Sequence, residues 1–556
     1  MWKLYGALVL LAAAPAAAAL RAANPPAAAP PLPICHADSV KDDDVPGPAK
    51  AILKGYGTGG FAIGTTSPEA QAYFDNGMQL AHAFAHKAAI AAFKRAEVLD
   101  PTCALCVWGE AWSRGPTLNY TIEKKDQAEL VPLADKAAVL AADGPPKERA
   151  LIAALQKRYH DGGGSGPGDE AFAAAMDEIA KANPTDNEIA IVAADAWMIP
   201  ARHAGPGRLP RAVELLEGAL QRQPKDTGAI HFYIHVTEMS GFGTKALPYA
   251  ETLQALAPAA SHLVHMPSHT YFWSGRYRQA EASNLDAVEI DKANAERMKL
   301  KDGVFGLSYH GHNVQFGEGA ALMDGDGKGG LALAAAELKQ LEKVKPDESY
   351  KQVGLGTAYF VYGRYGSKDE IAALPDPGSR LALADAMWIY AKGEAAARVG
   401  DVAAVKTQAA ALQALHPDMK PFKDFRPEAQ AMMDVARLVL TGRAAMMEQR
   451  WSDAEAAYRR AAEIQEDKLG RTADPPAWWY PVRRSLAAAL LAEGRTRDAA
   501  AEAQKALNRW AYDPVALRIL ADCATRDGRL DDAKRDLTYA RSNWSGDVES
   551  LPLSAL

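Results

Sequence analysis

The chain has 556 residues, more than the ~100–200 of one ordinary domain, so several domains or a long repeat array are expected. With 48% hydrophobic and 24% charged residues it can bury a core, which excludes wholesale disorder. Lysine and arginine number 62 against 69 acidic residues; a net charge of −7 offers no basic surplus for nucleic acid, and four cysteines are too few for a disulfide framework.

Residues 1–20 read MWKLYGALVLLAAAPAAAAL: one lysine, a short apolar run, then small residues with Ala17-Ala18-Ala19 as a cleavage site. That is the layout of a secretory signal peptide. The run is too short, too rich in alanine and too clearly broken by Pro15 to be a membrane anchor. Cys35 follows Ile34, which is the wrong neighbour for a lipid-modified cysteine. The mature chain is therefore expected in the periplasm or outside the cell, with no stable membrane insertion after leader removal. Residues 21–67 form an Ala/Pro-rich linker and N-terminal segment.

Beyond residue 67, helical periodicity recurs and no sustained strand alternation appears. Ala212, Ala246 and Ala280 stand 34 residues apart, with Leu216, Ala219 and Pro224 echoed by Ala250, Leu253 and Pro258 and in part by Asn284 and Ala287. Further copies carry Gly77, Leu80, Ala89, Phe93, Ala96 and Pro101, then Gly442, Ala454, Tyr458 and Ala461, then Ala499 and Ala533, again 34 apart. Small residues let a second helix pack closely on the first, and proline ends it.

This pattern resembles the tetratricopeptide repeat, a helix–turn–helix of about 34 residues. Whole phrases are similar to one family of bacterial tetratricopeptide-repeat proteins of largely unassigned function. They are His86-Lys87-Ala88 with Phe93-Lys94-Arg95-Ala96, the run Cys103 to Ala111, His231-Phe232-Tyr233-Ile234-His235, His265-Met266-Pro267-Ser268-His269, His312-Asn313 and Tyr480-Pro481-Val482-Arg483. The resemblance spans about 70 to 520. It implies an all-α superhelical solenoid and fixes no catalytic role. The expected organisation is a repeat array with a histidine cluster over 68–294, a less regular helical section over 295–440, further repeats over 441–545 and a tail over 546–556. Glycine-rich breaks are expected at Gly162–Gly168 and Asp324–Gly330.

Seven of the 13 histidines fall within 231–312, where a uniform spread would place about two. Counted from 227 and from 261, His231 and His235 take positions 5 and 9 of one repeat, and His265 and His269 take the same positions of the next. Each pair lies on one helix face. In tetratricopeptide arrays the first helices line the concave surface, so the resemblance implies that four imidazoles share a groove. Imidazole is a ligand for copper, zinc, nickel and iron, and two pairs on neighbouring helices can converge on one ion. Pro267 between His265 and His269 can re-aim one of them. His310 and His312 precede another helix and can complete the set, with Glu238 as ligand or hydrogen-bond acceptor. Met239 and Met266 nearby tilt the expectation from zinc toward copper.

The competing expectation is a metal-free scaffold whose groove binds a protein, a peptide or a small molecule. His82 and His86 form another pair, better placed for packing than for ligation. Cys103 and Cys106 make a C-x-x-C at a helix start: a disulfide stapling the turn, a soft metal site and reduced packing thiols all fit it. Asp324 to Gly327 begins like a calcium loop but lacks its later ligands. There is no G-x-S-x-G, no Walker loop, no H-E-x-x-H and no C-x-x-C-H.

Overall fold

The computed structural model describes residues 45–122, 124–160, 167–470 and 474–556, the side chains of 202–204 excepted. The leader, most of the linker and most of the Gly162–Gly168 break lie outside the described residues. Within them the chain is an all-α tetratricopeptide-repeat superhelix of antiparallel helix pairs. No described helix is long and apolar enough to cross a membrane.

The repeat around the histidines shows why these residues fold so. Asp226 caps the helix Thr227–Met239 by accepting from the Ala229 amide at 3.2 Å. The following helix, Leu247–Leu256, opens with proline in its first turn, where no amide hydrogen is needed. Ala212, Ala246 and Ala280 are each fully buried, and their small side chains let neighbouring helices approach. A second device recurs 16 residues apart. A Cβ on Gly77 would stand 2.6 Å from the Phe93 ring, and one on Gly442 would stand 2.5 Å from the Tyr458 ring. In both copies a glycine on the first helix seats a large ring from the second.

The apolar interior has two large cores and a small third one of Val288, Val314 and Leu333. One core runs from Tyr56 to Met266 and takes in Tyr309, while the other runs from Phe272 to Leu556. The seam passes through the segment that carries Pro267 and His269.

The Asp324–Gly330 stretch is a tight turn rather than a loop. The helix His310–Asp324 ends at Gly325 with φ of +83°, and Asp326 caps the helix Gly327–Leu338 by accepting from the Lys328 and Gly329 amides. Glycine is needed at 325 for the left-handed step. Glycines that read as flexible are there for a cap.

An N-terminal strap crosses the starts of the histidine helices. The Thr58 amide donates to Thr227 Oγ1 at 2.8 Å, the Thr227 amide donates back to Thr58 Oγ1 at 2.9 Å, and the Ala259 amide donates to the Gly55 carbonyl at 2.9 Å. Gly57, at φ of +90°, lies so close that a Cβ would overlap the Thr227 side chain.

Candidate metal centre

The histidines lie in the interior, not on an open groove as expected. His231, His265 and His269 are fully buried, and every residue of the helix Thr227–Met239 is buried. The cover comes from Phe84 at the end of the first helix, from Tyr309 and Phe316, and from the segment that begins at Asp474.

Among the described residues two groups of three histidines form, and a third group, Glu238, His269 and Asp474, shares His269 with the second. His231, His235 and His262 bring one ring nitrogen each within 4.8 Å of one another, and His265, His269 and His312 do the same. In the first triad His231 Nε2 lies 3.2 Å from His235 Nε2 and 3.2 Å from His262 Nε2. In the second, His265 Nε2 lies 2.9 Å from His269 Nε2. The triads abut: the ring centroids of His235 and His269 are 5.5 Å apart, as are those of His262 and His265.

The outer nitrogens decide what the inner ones can do. His231 Nδ1 donates to the His82 carbonyl at 2.6 Å, at the end of the helix Pro68–His82 where carbonyls lack helical partners. A neutral imidazole has one N–H, so His231 Nε2 presents a bare lone pair to the triad. His265 Nδ1 faces Asn284 Oδ1 at 2.6 Å, and the Asn284 amide nitrogen donates to the Ala280 carbonyl at 2.7 Å. That second bond fixes the amide, so His265 is the donor and its Nε2 is bare. His269 Nδ1 donates to Glu238 Oε2 at 2.7 Å, with Asp474 Oδ1 at 3.2 Å. Glu238 is itself held by the Trp273 indole N–H at 2.7 Å. The lone pairs of His265 and His269 therefore face each other at 2.9 Å, which requires a cation between them, either a proton or a metal ion.

Burial, with the neighbouring imidazoles adding to it, pushes His235, His262 and His265 well below the ordinary imidazole range, and His231 down to about 3. These rings stay neutral, the form that ligates metal. His269 is the exception. Burial pulls it down, but Asp474 and Glu238 outweigh burial and raise it.

Aromatic rings wall each triad. Phe84 stands 4.4 Å from His231 and 5.1 Å from His262, centroid to centroid, and Phe316 stands 4.7 Å from His269 and 5.2 Å from His265. Phe84 has φ of +54°, in the left-handed region where a helix end ordinarily takes glycine. A bulky residue held there costs about 1 kcal/mol or more, and here it keeps an apolar ring on the histidines.

Of the residues expected to converge, His231, His235, His265, His269 and His312 do so. His310 does not. Its Nδ1 lies 2.9 Å from Asp291 Oδ2, which also accepts from Asn313, so it fixes the start of its helix outside both triads. His262 takes the sixth place. Register counting passed over it because it sits at position 2, yet His262, His265 and His269 are spaced i, i+3, i+7 and form one helical stripe. Pro267 divides that stripe into the helices Ser261–His265 and Pro267–Trp273, and His262 serves one triad while His265 and His269 serve the other. Asp474 lies 205 residues beyond His269, and no sequence signal pointed to it.

The other candidates lie apart. His82 Nε2 pairs with Glu188 Oε2 at 2.7 Å, and its contribution to the centre is its backbone carbonyl. His86 stacks on Phe84 with ring centroids 5.4 Å apart. Cys103 and Cys106 are joined as a disulfide, and Cys103 also caps its helix by accepting from the Cys106 amide at 3.2 Å.

No protein-family model matches the chain, and no curated protein sequence does. Solved structures with a partial likeness include the tetratricopeptide-repeat domain of P58(IPK), at 14% identity over 63% of this chain and 93% of that one, with a TM-score of 0.21. The human IFIT1 dimer with m7Gppp-AAAA is 14% identical over 86% of this chain and 91% of its own, TM-score 0.30. Naa15/Naa10 bound to HypK-THB is 14% identical over 87% and 90%, TM-score 0.24.

Proposed function

We propose that the chain is an exported metal-binding protein that holds a transition metal, copper or zinc, among histidines contributed by adjacent repeats. One observation carries the reading. The Nδ1 atoms of His265 and His269 are both committed as donors to outer acceptors, so their Nε2 atoms face each other at 2.9 Å across a place for one cation, the proton that His269 holds or a metal ion that displaces it. Outer hydrogen bonds of this kind, to a backbone carbonyl, an amide oxygen and carboxylates, are what orients metal-bound histidines and raises their basicity. A leader-like start and the joined Cys103 and Cys106 support an oxidising compartment outside the cytosol.

A metal-free scaffold is the second reading, and a separate region favours it. Arg364 Nη1 donates to the Ala555 carbonyl at 2.8 Å, and Arg443 Nη1 lies 3.3 Å from the carbonyls of Ser554 and Leu556. These buried arginines hold a 3-10 turn of the chain's own backbone, Leu553–Ala555, in the way a scaffold would take up a peptide.

Elemental analysis after exposure to copper or zinc and desalting separates the two. The metal reading expects stoichiometric metal in the wild type and its loss in the double variant His231→Ala, His265→Ala, with helix content unchanged. His160→Ala and His416→Ala should retain it. A wild type with no stoichiometric metal would leave the scaffold reading standing.

A further inference from the structure

We propose that the two triads form a two-copper centre, one ion per triad, loaded as Cu(I). This rests on the metal reading above and extends it from a metal site to a pair of defined ions.

The geometry supplies two complete ligand sets rather than one. A four-coordinate ion bound at ~2.0–2.1 Å per nitrogen needs its donors a little over 3 Å from one another. The first triad already has His231 Nε2 at 3.2 Å from both partners, and the second has His265 and His269 at 2.9 Å. Six imidazoles exceed what one such ion can hold, and each triad leaves a position open. Because His262 and His265 belong to one short helix, and His231 and His235 to its neighbour, the two ions would lie side by side in one enclosure.

Charge selects the ion. Bound to metal the imidazoles are neutral ligands, and two carboxylates lie against the second triad: Glu238 and Asp474 at His269 Nδ1, and Asp474 also 3.8 Å from His312 Nε2. Two monovalent ions balance those two negative charges. Two divalent ions would leave an excess of two positive charges in a dry interior, where uncompensated charge is costly. Imidazole is a ligand for copper in either oxidation state, and once oxidised to the divalent ion copper binds nitrogen ligands ahead of zinc.

The ligand class follows from the pair. Two Cu(I) ions can pass one electron each to dioxygen, giving two Cu(II) and a peroxide dianion with the O–O bond retained and no proton consumed. Dioxygen is small and apolar, as the Phe84 and Phe316 walls require.

The full chain would be loaded anaerobically with Cu(I) supplied as its acetonitrile complex, desalted, and analysed for copper. The wild type should carry two copper per chain, and His262→Gln and His312→Gln should carry one each. On admission of air the wild type should take up about one dioxygen per pair and lose most of the expected Cu(II) paramagnetic signal through coupling. Each single-triad variant should show the full signal of an isolated ion. One copper per wild-type chain would overturn the pair while leaving the metal reading intact. Two copper ions that oxidise to two uncoupled signals would also overturn it. No bound metal would overturn the metal reading itself.

Discussion

The two triads differ in what holds their rings. In the first, His231 is oriented by the backbone carbonyl of His82, and no carboxylate is hydrogen-bonded to it. In the second, His265 is oriented by the Asn284 side chain and His269 by Glu238 and Asp474. Backbone orientation cannot be deleted by substitution, and it adds no charge. Side-chain orientation can be tuned, and here it brings the negative charge that the ions need. One triad is therefore a fixed neutral site and the other an adjustable anionic one, with Pro267 at the boundary between them.

A contrasting region sharpens that comparison. Glu318 and Glu337 are buried, and neither Glu318 oxygen nor Glu337 Oε2 meets a protein hydrogen-bond partner. Burial raises Glu318 well above the ordinary carboxyl range and pushes Glu337 up to about 7. Where His231, His265 and His269 have outer hydrogen-bond partners, burial favours the protonated form of these carboxyls. The native state keeps the Glu337 proton while the unfolded chain releases it above about 4.5, so its contribution is fully present below that pH and is lost as pH rises toward 7. The loss is on the order of 3 kcal/mol. Urea unfolding of the metal-free protein from pH 4.5 to 8 should show this decline on top of that from Glu318, and Glu337→Gln should make it shallower. An unchanged slope in the variant would refute the assignment.

The next effect separates the triads directly. Glu238→Gln removes a negative charge from the second triad only. It should weaken metal binding there by roughly 10–100-fold and weaken the first triad, whose ion the carboxylates balance only from a distance, by less. Titration with a chelator of graded affinity would resolve two classes of ion in the variant. Equal weakening of both classes would show that the carboxylate serves the centre as a whole.

The smallest effect is the expected absence of one. His310 is committed to Asp291 and stands outside both triads, so His310→Asn should keep full metal occupancy and change only the local stability of its helix. Loss of an ion in this variant would place His310 among the ligands after all.

Much of this architecture was legible in the sequence. The alanine spacing at 212, 246 and 280 announced the repeat, because close helix contact demands a small residue wherever it recurs. The histidine pairs could be read for the same reason: the repeat carries positions 5 and 9 of one unit onto the next. His262 was missed because a register compares equivalent positions, and its equivalent is Gly228, whereas the stripe it forms with His265 and His269 follows helix periodicity within a single unit. The burial of the centre could not be read either. It depends on Phe84, Tyr309 and Phe316 and on the segment from Asp474, all outside the repeats that hold the two histidine pairs. Asp474 reaches His269 only because the superhelix brings its second half back against its first.

Anomalous diffraction from crystals of the copper-loaded chain, collected on either side of the copper absorption edge, shows where the metal sits. Density is expected inside the histidine enclosure, within bonding distance of Nε2 of His231, His235 and His262 and of Nε2 of His265 and His269. Anomalous density confined to surface groups such as His160 or His416, with the enclosure empty, would contradict the metal reading.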